Sequence, residues 1–294
     1  MSSPQFWLFL CRFVFDGATM LLWGSAIFLC TLVPHGLRWQ LWARAAVLRR
    51  SAVFSLTLAS LLSLPVHTAI IGDGWRDAVR FDMLYSVATE TTIGTAWLCQ
   101  MAGIALLMCL IRASESLVIQ GTALTGALLL ASLAITGHAA MGEGIYNRLH
   151  QANDIIHLLT AGAWLGALPI VLMLLPCLTI PGTASDAKKA LMRFSTGGHV
   201  VVVTVMLTGI VSTLLILDGL PLDWAYPYQR LLASKILIVV GMALLAIFNR
   251  YVLVPRMRRS TSAMRYFYWV TLIEIVLSFT ALLLVAWLGM LDPN

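Results

Sequence analysis

Residues 149–172, LHQANDIIHLLTAGAWLGALPIVL, decide the reading of this 294-residue chain. No charged residue stands between Asp154 and Asp186, and a run of roughly 20 apolar residues is what crosses the hydrocarbon core of a bilayer. The mouth of that run is polar. At 100° per residue, His150, Asp154 and His157 fall within about 60° of one another, so they form one ridge two turns long. His157 lies about 10 Å deeper than His150 at a 1.5 Å rise per residue.

Seven further runs of this kind lie on either side. The expected spans are about 6–33, 51–71, 88–111, 117–137, 152–176, 197–217, 230–254 and 267–290, each long enough to cross the core. Backbone polar groups in lipid must pair within their own segment, so these are helices. The predicted fold is all-α, a polytopic bundle of eight transmembrane helices. No soluble domain interrupts the spans, so residues 1–294 are expected to form a single transmembrane domain. The first run continues past Asp16 to about Val33, too long for the core of a signal peptide.

Composition agrees. The chain is 60% hydrophobic and only 11% charged, outside the range of soluble domains. The five cysteines (Cys11, Cys30, Cys99, Cys109 and Cys177) form no C-x-x-C and lie in or beside apolar runs, so they are expected to be small buried hydrophobes and not a disulfide framework or zinc site. A net charge of +6 raises a nucleic-acid partner, but the distribution of the charge argues for topology instead. The first, third, fifth and seventh loops hold thirteen lysines and arginines: Arg38, Arg44, Arg49, Arg50, Arg112, Lys188, Lys189, Arg193, Arg250, Arg256, Arg258, Arg259 and Arg265. The second, fourth and sixth hold four: Arg76, Arg80, Arg148 and Arg230. By the positive-inside rule the odd loops are cytoplasmic and both termini are periplasmic.

Ionisable groups within spans each need a reason. His67, His138, His150 and His157 fall at the outer ends of helices, a concentration that favours a metal or ion site. Asp154 either orients a ring N–H or ligates directly. Pro65 should loosen the helix around His67, and Glu90 and the outer Met83 and Met141 stand on the same side. Imidazole suits zinc, copper, iron or nickel. Arg12 and Asp16, four apart, are expected to form a structural ion pair. Lys235 either snorkels or balances the outer acidic groups. Glu274, His199 and His35 are candidates for an inner relay. Gly162 and Gly166 predict close helix packing.

Three stretches carry a resemblance. GHA at 137–139 followed by LHQANDIIHLLTAGAWLGALPIVL, TETTIGTAWL at 89–98, and YQRLLASKILIVVGMALLAIFNRYVLVP at 228–255 together resemble the signature of the CopD family of bacterial inner-membrane copper proteins. The order Tyr228, Gln229, Arg230 departs from the Tyr-Gly that family members often show there. The resemblance implies copper as cargo, captured by His67, His138, His150 and His157 with Asp154. It also implies passage across the cytoplasmic membrane, with import as the expected direction, and a separate periplasmic carrier of the CopC type as partner. The chain lacks G-x-x-x-x-G-K-[ST], so no nucleotide-driven pump and no enzymatic activity are expected. Two alternatives stand beside this reading. One is a b-type haem electron carrier ligated by the same outer histidines. The other is a proton-coupled carrier that uses the His–Asp ridge as a relay.

Overall fold

Lipid offers the backbone no hydrogen bonds, so each apolar run must close its own ladder as a helix. In the computed structural model, which describes residues 3–110, 114–136, 144–217, 219–221, 223–257 and 260–291, eight helices are long and apolar enough to cross a membrane. They are built on α1 (Pro4–Thr31), α3 (Ala46–Ile71), α5 (Thr92–Leu110), α6 (Glu115–Ser132), α7 (Ile145–Leu174), α8 (Ala184–Leu217), α9 (Pro227–Phe248) and α11 (Thr261–Leu288). Between α9 and α11, a π-helical turn (Asn249–Leu253) runs into the short α10 (Val254–Arg256).

Two helices lie where the sequence reading places loops. α2 (His35–Arg44) follows Pro34 and turns Leu37, Leu41 and Trp42 inward, a spacing that makes one apolar face. It is too short to span and packs beneath α1 and α7, with the Arg49 guanidinium 3.6 Å above the Trp42 ring. α4 (Phe81–Glu90) holds the residues assigned above to the start of the third span. The backbone becomes extended at Thr91 (φ −118°, ψ 156°), so Glu90 ends an exposed helix instead of opening a membrane one. Nearby, Arg80 bonds Asp82 and Asp77. The bond from Arg80 holds the exposed Asp82 carboxyl below the usual carboxylate range.

Burial identifies the centre. The span windows of α1 and α6 are each 56% buried and that of α7 is 50%, against 17% for α8 and for α9, so α1, α6 and α7 form the interior and α8 and α9 face lipid. Lipid-facing side chains such as Leu58, Leu124, Leu207, Leu237, Leu244 and Val276 are largely exposed, as expected where the solvent is hydrocarbon. Glycine permits a close crossing between α1 and α7. A Cβ on Gly166 would meet the Met20 carbonyl oxygen at 2.1 Å, and one on Gly24 would meet the Gly162 oxygen at the same distance. The close packing expected of Gly162 and Gly166 is therefore present. Two indoles fasten the bundle across helices: Trp23 Nε1 donates to the Leu159 carbonyl at 2.8 Å, and Trp97 Nε1 to that of Ser60 at 2.8 Å.

Successive spans alternate in direction, so the start of α1 and the end of α11 share one face, called here the terminal face. The Arg12 guanidinium joins them by donating to the Gly289 carbonyl. No ion pair within 4 Å links Arg12 to Asp16 among the described residues, so the expected structural pair is replaced by this tie between helices.

Candidate functional site

The polar ridge of α7 docks on α8. Asn153 Nδ2 donates to the Thr208 carbonyl at 3.1 Å and to Ser212 Oγ at 2.8 Å, and Ser212 Oγ donates to Asp154 Oδ1 at 2.9 Å. A hydroxyl has one hydrogen, and here Ser212 gives it to the carboxylate while accepting from the amide. One turn deeper, His157 Nδ1 lies 2.9 Å from Thr208 Oγ1, whose own hydrogen goes to the Thr204 carbonyl at 2.7 Å. His157 Nδ1 is therefore the donor, and in the neutral ring Nε2 keeps the lone pair.

The same accounting applies on α3, where Pro65 interrupts the backbone ladder. His67 Nδ1 lies 2.8 Å from the Ser63 carbonyl, which can only accept, so Nδ1 carries the hydrogen and Nε2 is again the basic nitrogen. His150 differs. Its Nε2 stands 3.7 Å from Asp154 Oδ1, beyond hydrogen-bond reach, and is buried with no partner. Asp154 is thus held by Ser212 and not by either histidine of its ridge.

Asp154 and His157 open on a cavity of about 340 Å³ between α1, α7, α8, α9 and α11. Arg12, Asp16, Lys235 and Tyr228 line it as well. Beside it is a smaller cavity of about 130 Å³ that holds His67, Ser63, Trp97 and Gln100. Arg12, Asp16, Leu133 and Thr136 line both, so this turn of α1 separates two lobes of one polar region near the terminal face. A charged side chain at mid-helix in lipid costs about 3 kcal/mol on insertion scales. Four such residues, Arg12, Asp16, Asp154 and Lys235, sharing one internal cavity escape that cost together.

His138 and Met141 lie outside the described residues. Glu90 and Met83 belong to α4 and line neither cavity. Among the described residues, no three His, Cys, Asp or Glu side chains stand close enough to hold a metal ion. His67 and His157 are brought to adjoining lobes, not into one coordination shell. Arg12 and Asp16, assigned a structural role from their spacing, turn out to be part of the polar region.

On the opposite face, both nitrogens of His199 are engaged: Nδ1 donates to the Ser195 carbonyl at 3.2 Å, and the Tyr251 hydroxyl lies 3.0 Å from Nε2. His199 and Glu274 line one cavity, whereas His35, at the start of α2, is exposed and apart from it.

Comparison with known proteins matches residues 1–148 to the family described as copper resistance protein D-like, N-terminal domain, and residues 188–288 to copper resistance protein D. The chain is 35% identical over 287 residues to the inner membrane protein YebZ of Escherichia coli (strain K12), covering 96% of this chain and 97% of that one. It is 31% identical over 303 residues to copper resistance protein D of Pseudomonas syringae pv. tomato, covering 96% of each. It is also 26% identical to the copper transport protein CutJ of Bacillus subtilis (strain 168), over 75% of this chain and 42% of that one. The chain belongs to the copper resistance protein D family. Its fold is similar to a chain of the bd oxidase from Geobacillus thermodenitrificans, with a TM-score of 0.59 over 99% of this chain and 87% of that one, at 10% identity.

Proposed function

We propose that this chain is a multi-pass inner-membrane copper permease that takes copper from the periplasm and passes it towards the cytoplasm. It acts as a carrier and not as an enzyme, working as one transmembrane domain. The observation that carries the reading is the polar region near the terminal face. There, two histidines whose Nδ1 hydrogens are engaged line adjoining cavities, and buried charges of both signs line them as well. Imidazole nitrogen is a competent copper ligand, and a hydrogen bond at Nδ1 fixes the ring and raises the basicity of the other nitrogen. Family membership supplies the metal, and the excess of basic residues in the odd loops favours a periplasmic terminal face.

In this account His67, His138, His150 and His157 capture copper, with Asp154 balancing its charge. Because the described histidines do not form one shell, the ion is handed from one site to the next instead of resting in a cage. That suits transport, where a site must release what it binds. A separate periplasmic carrier of the CopC type delivers the ion. The test is metal content and absorbance of the purified protein. Bound copper that falls in His150→Ala and His157→Ala supports the reading, and unchanged copper in both overturns the site. A Soret band would replace copper capture by haem ligation at the same histidines.

A further inference from the structure

The second polar centre lies on the other side of the bundle and plays no part in copper capture. Glu274 belongs to α11, which begins at Thr261, six residues earlier than the apolar run indicates. Glu274 therefore sits thirteen residues along, about 20 Å at 1.5 Å per residue, near the middle of the span. Its side chain is almost fully buried, at 2% exposure. One amide serves it: Asn249 Nδ2 donates to Glu274 Oε2 at 2.9 Å. Asn249 opens the π-helical turn, the departure from the α-helical ladder that sets this amide against α11.

Among the described residues, the surroundings give this carboxylate no ion pair within 4 Å. The lining cavity, about 150 Å³, is walled by Trp164 and Leu168 of α7, Val202 of α8, Ala243 of α9 and Phe267 of α11. The charged and titratable groups that face it are few. From α8 comes His199, committed to Ser195 and Tyr251. From the π-turn comes Arg250, whose Nη1 donates to Ser195 Oγ at 2.8 Å. Among the described residues no cation lies within 4 Å of Glu274. Two more polar atoms are buried there without a partner, Asn249 Oδ1 and Thr271 Oγ1, both on residues that line the same cavity. Asn249 and Thr271 are 7% and 1% exposed.

We propose that Glu274 is a proton-binding site, neutral at rest, that exchanges its proton with water admitted between its carboxyl, Asn249 Oδ1 and Thr271 Oγ1. An ionised carboxylate in apolar surroundings with one neutral donor is unstable, whereas the acid needs only hydrogen-bond partners. The cavity has room for water, and the three groups give a water molecule the polar contacts it requires. Resting on the copper-permease reading, the site has a transport role. As monovalent copper arrives, the Glu274 O–H bond breaks, the proton leaves through that water, and the carboxylate left behind balances the cation. The charge of the cavity then stays constant through the passage.

Infrared difference spectroscopy on the purified protein in lipid nanodiscs tests the proton site without any transport. Wild type should show the carbonyl band of a protonated carboxylic acid at neutral pH, and Glu274→Gln should lose it. Asn249→Ala should move the band to higher frequency, because the carbonyl oxygen loses its donor. A band that survives Glu274→Gln, or stays in place in Asn249→Ala, overturns the assignment. In vesicles containing a pH dye and supplied with Cu(I), wild type should release protons as copper crosses and Glu274→Gln should not. Equal release by both overturns the transport role. If wild type moves no copper at all, the permease reading fails while the infrared band still decides the proton site.

Discussion

His157 Nδ1 lies 2.9 Å from Thr208 Oγ1, and the Thr208 hydroxyl has already given its hydrogen to the Thr204 carbonyl 2.7 Å away. A residue on α8 thereby determines which nitrogen of a histidine on α7 is basic. Thr208→Val keeps the shape of the side chain and removes the acceptor. Loss of a hydrogen bond behind a ligating imidazole weakens metal affinity by about 10- to 100-fold. Competition between the purified variant and a chromophoric Cu(I) chelator should show a weakening of that size. An affinity equal to wild type would mean that His157 does not bind copper.

Asn153 plays a different part from its neighbours on the ridge. Its amide donates twice across the α7–α8 interface and does not line the cavity of Asp154 and His157. Interhelical hydrogen bonds in membrane proteins contribute about 0.6 kcal/mol on average. Asn153→Leu should therefore lower stability by about 1 kcal/mol in a detergent unfolding titration. Its copper affinity should stay within about threefold of wild type, well short of the loss expected when a ligating imidazole's own partner is removed.

The α1–α7 crossing makes a sharper stability prediction. Gly166→Ala drives a methyl into the Met20 carbonyl at 2.1 Å, and backbone on both sides must move. Overpacking of this kind costs about 1–3 kcal/mol, and the upper end applies where backbone blocks the methyl. Gly197→Ala on α8 meets nothing within 4 Å and should be neutral or slightly stabilising, because alanine favours helix. Thermal unfolding of the two variants side by side should separate them by several degrees.

How much of this was legible in the sequence depended on whether a residue's partners lay on its own helix. All eight spans could be read, because apolar length is a local property. α2 could not, since its apolar face packs on helices distant in the chain. The third span begins later than its apolar run indicates, because the break at Thr91 is a matter of backbone geometry, with no glycine or proline at the turn itself. The ridge of His150, Asp154 and His157 could be read from spacing, but its partners Thr208 and Ser212 sit more than fifty residues away on a greasy helix. Arg12 and Asp16 looked like an i, i+4 pair, and pairing is the local answer to that spacing. Depth along the helices is a further signal. Arg12 lies eight residues from the start of α1, Lys235 eight from the start of α9, and Asp154 nine from the start of α7, so all three reach one level.

Orientation has its own test. Single cysteines at Ser3, Gly219 and Ser260, in a background lacking the five native thiols, should separate by side in intact cells. A membrane-impermeant maleimide should label the first two from outside and the third only after permeabilisation. The reverse pattern would place the His67 and His157 cavities on the cytoplasmic side and overturn the proposed capture of copper from the periplasm.

The central claim is that copper crosses the membrane by way of His157 and its cavity. Cu(I) uptake into proteoliposomes measures it directly, with wild type, His157→Ala and Gly197→Ala compared at equal protein content. The account predicts uptake by wild type and Gly197→Ala and a loss of at least about tenfold in His157→Ala, the size of effect expected when an imidazole ligand is removed. Equal uptake by wild type and His157→Ala would contradict it.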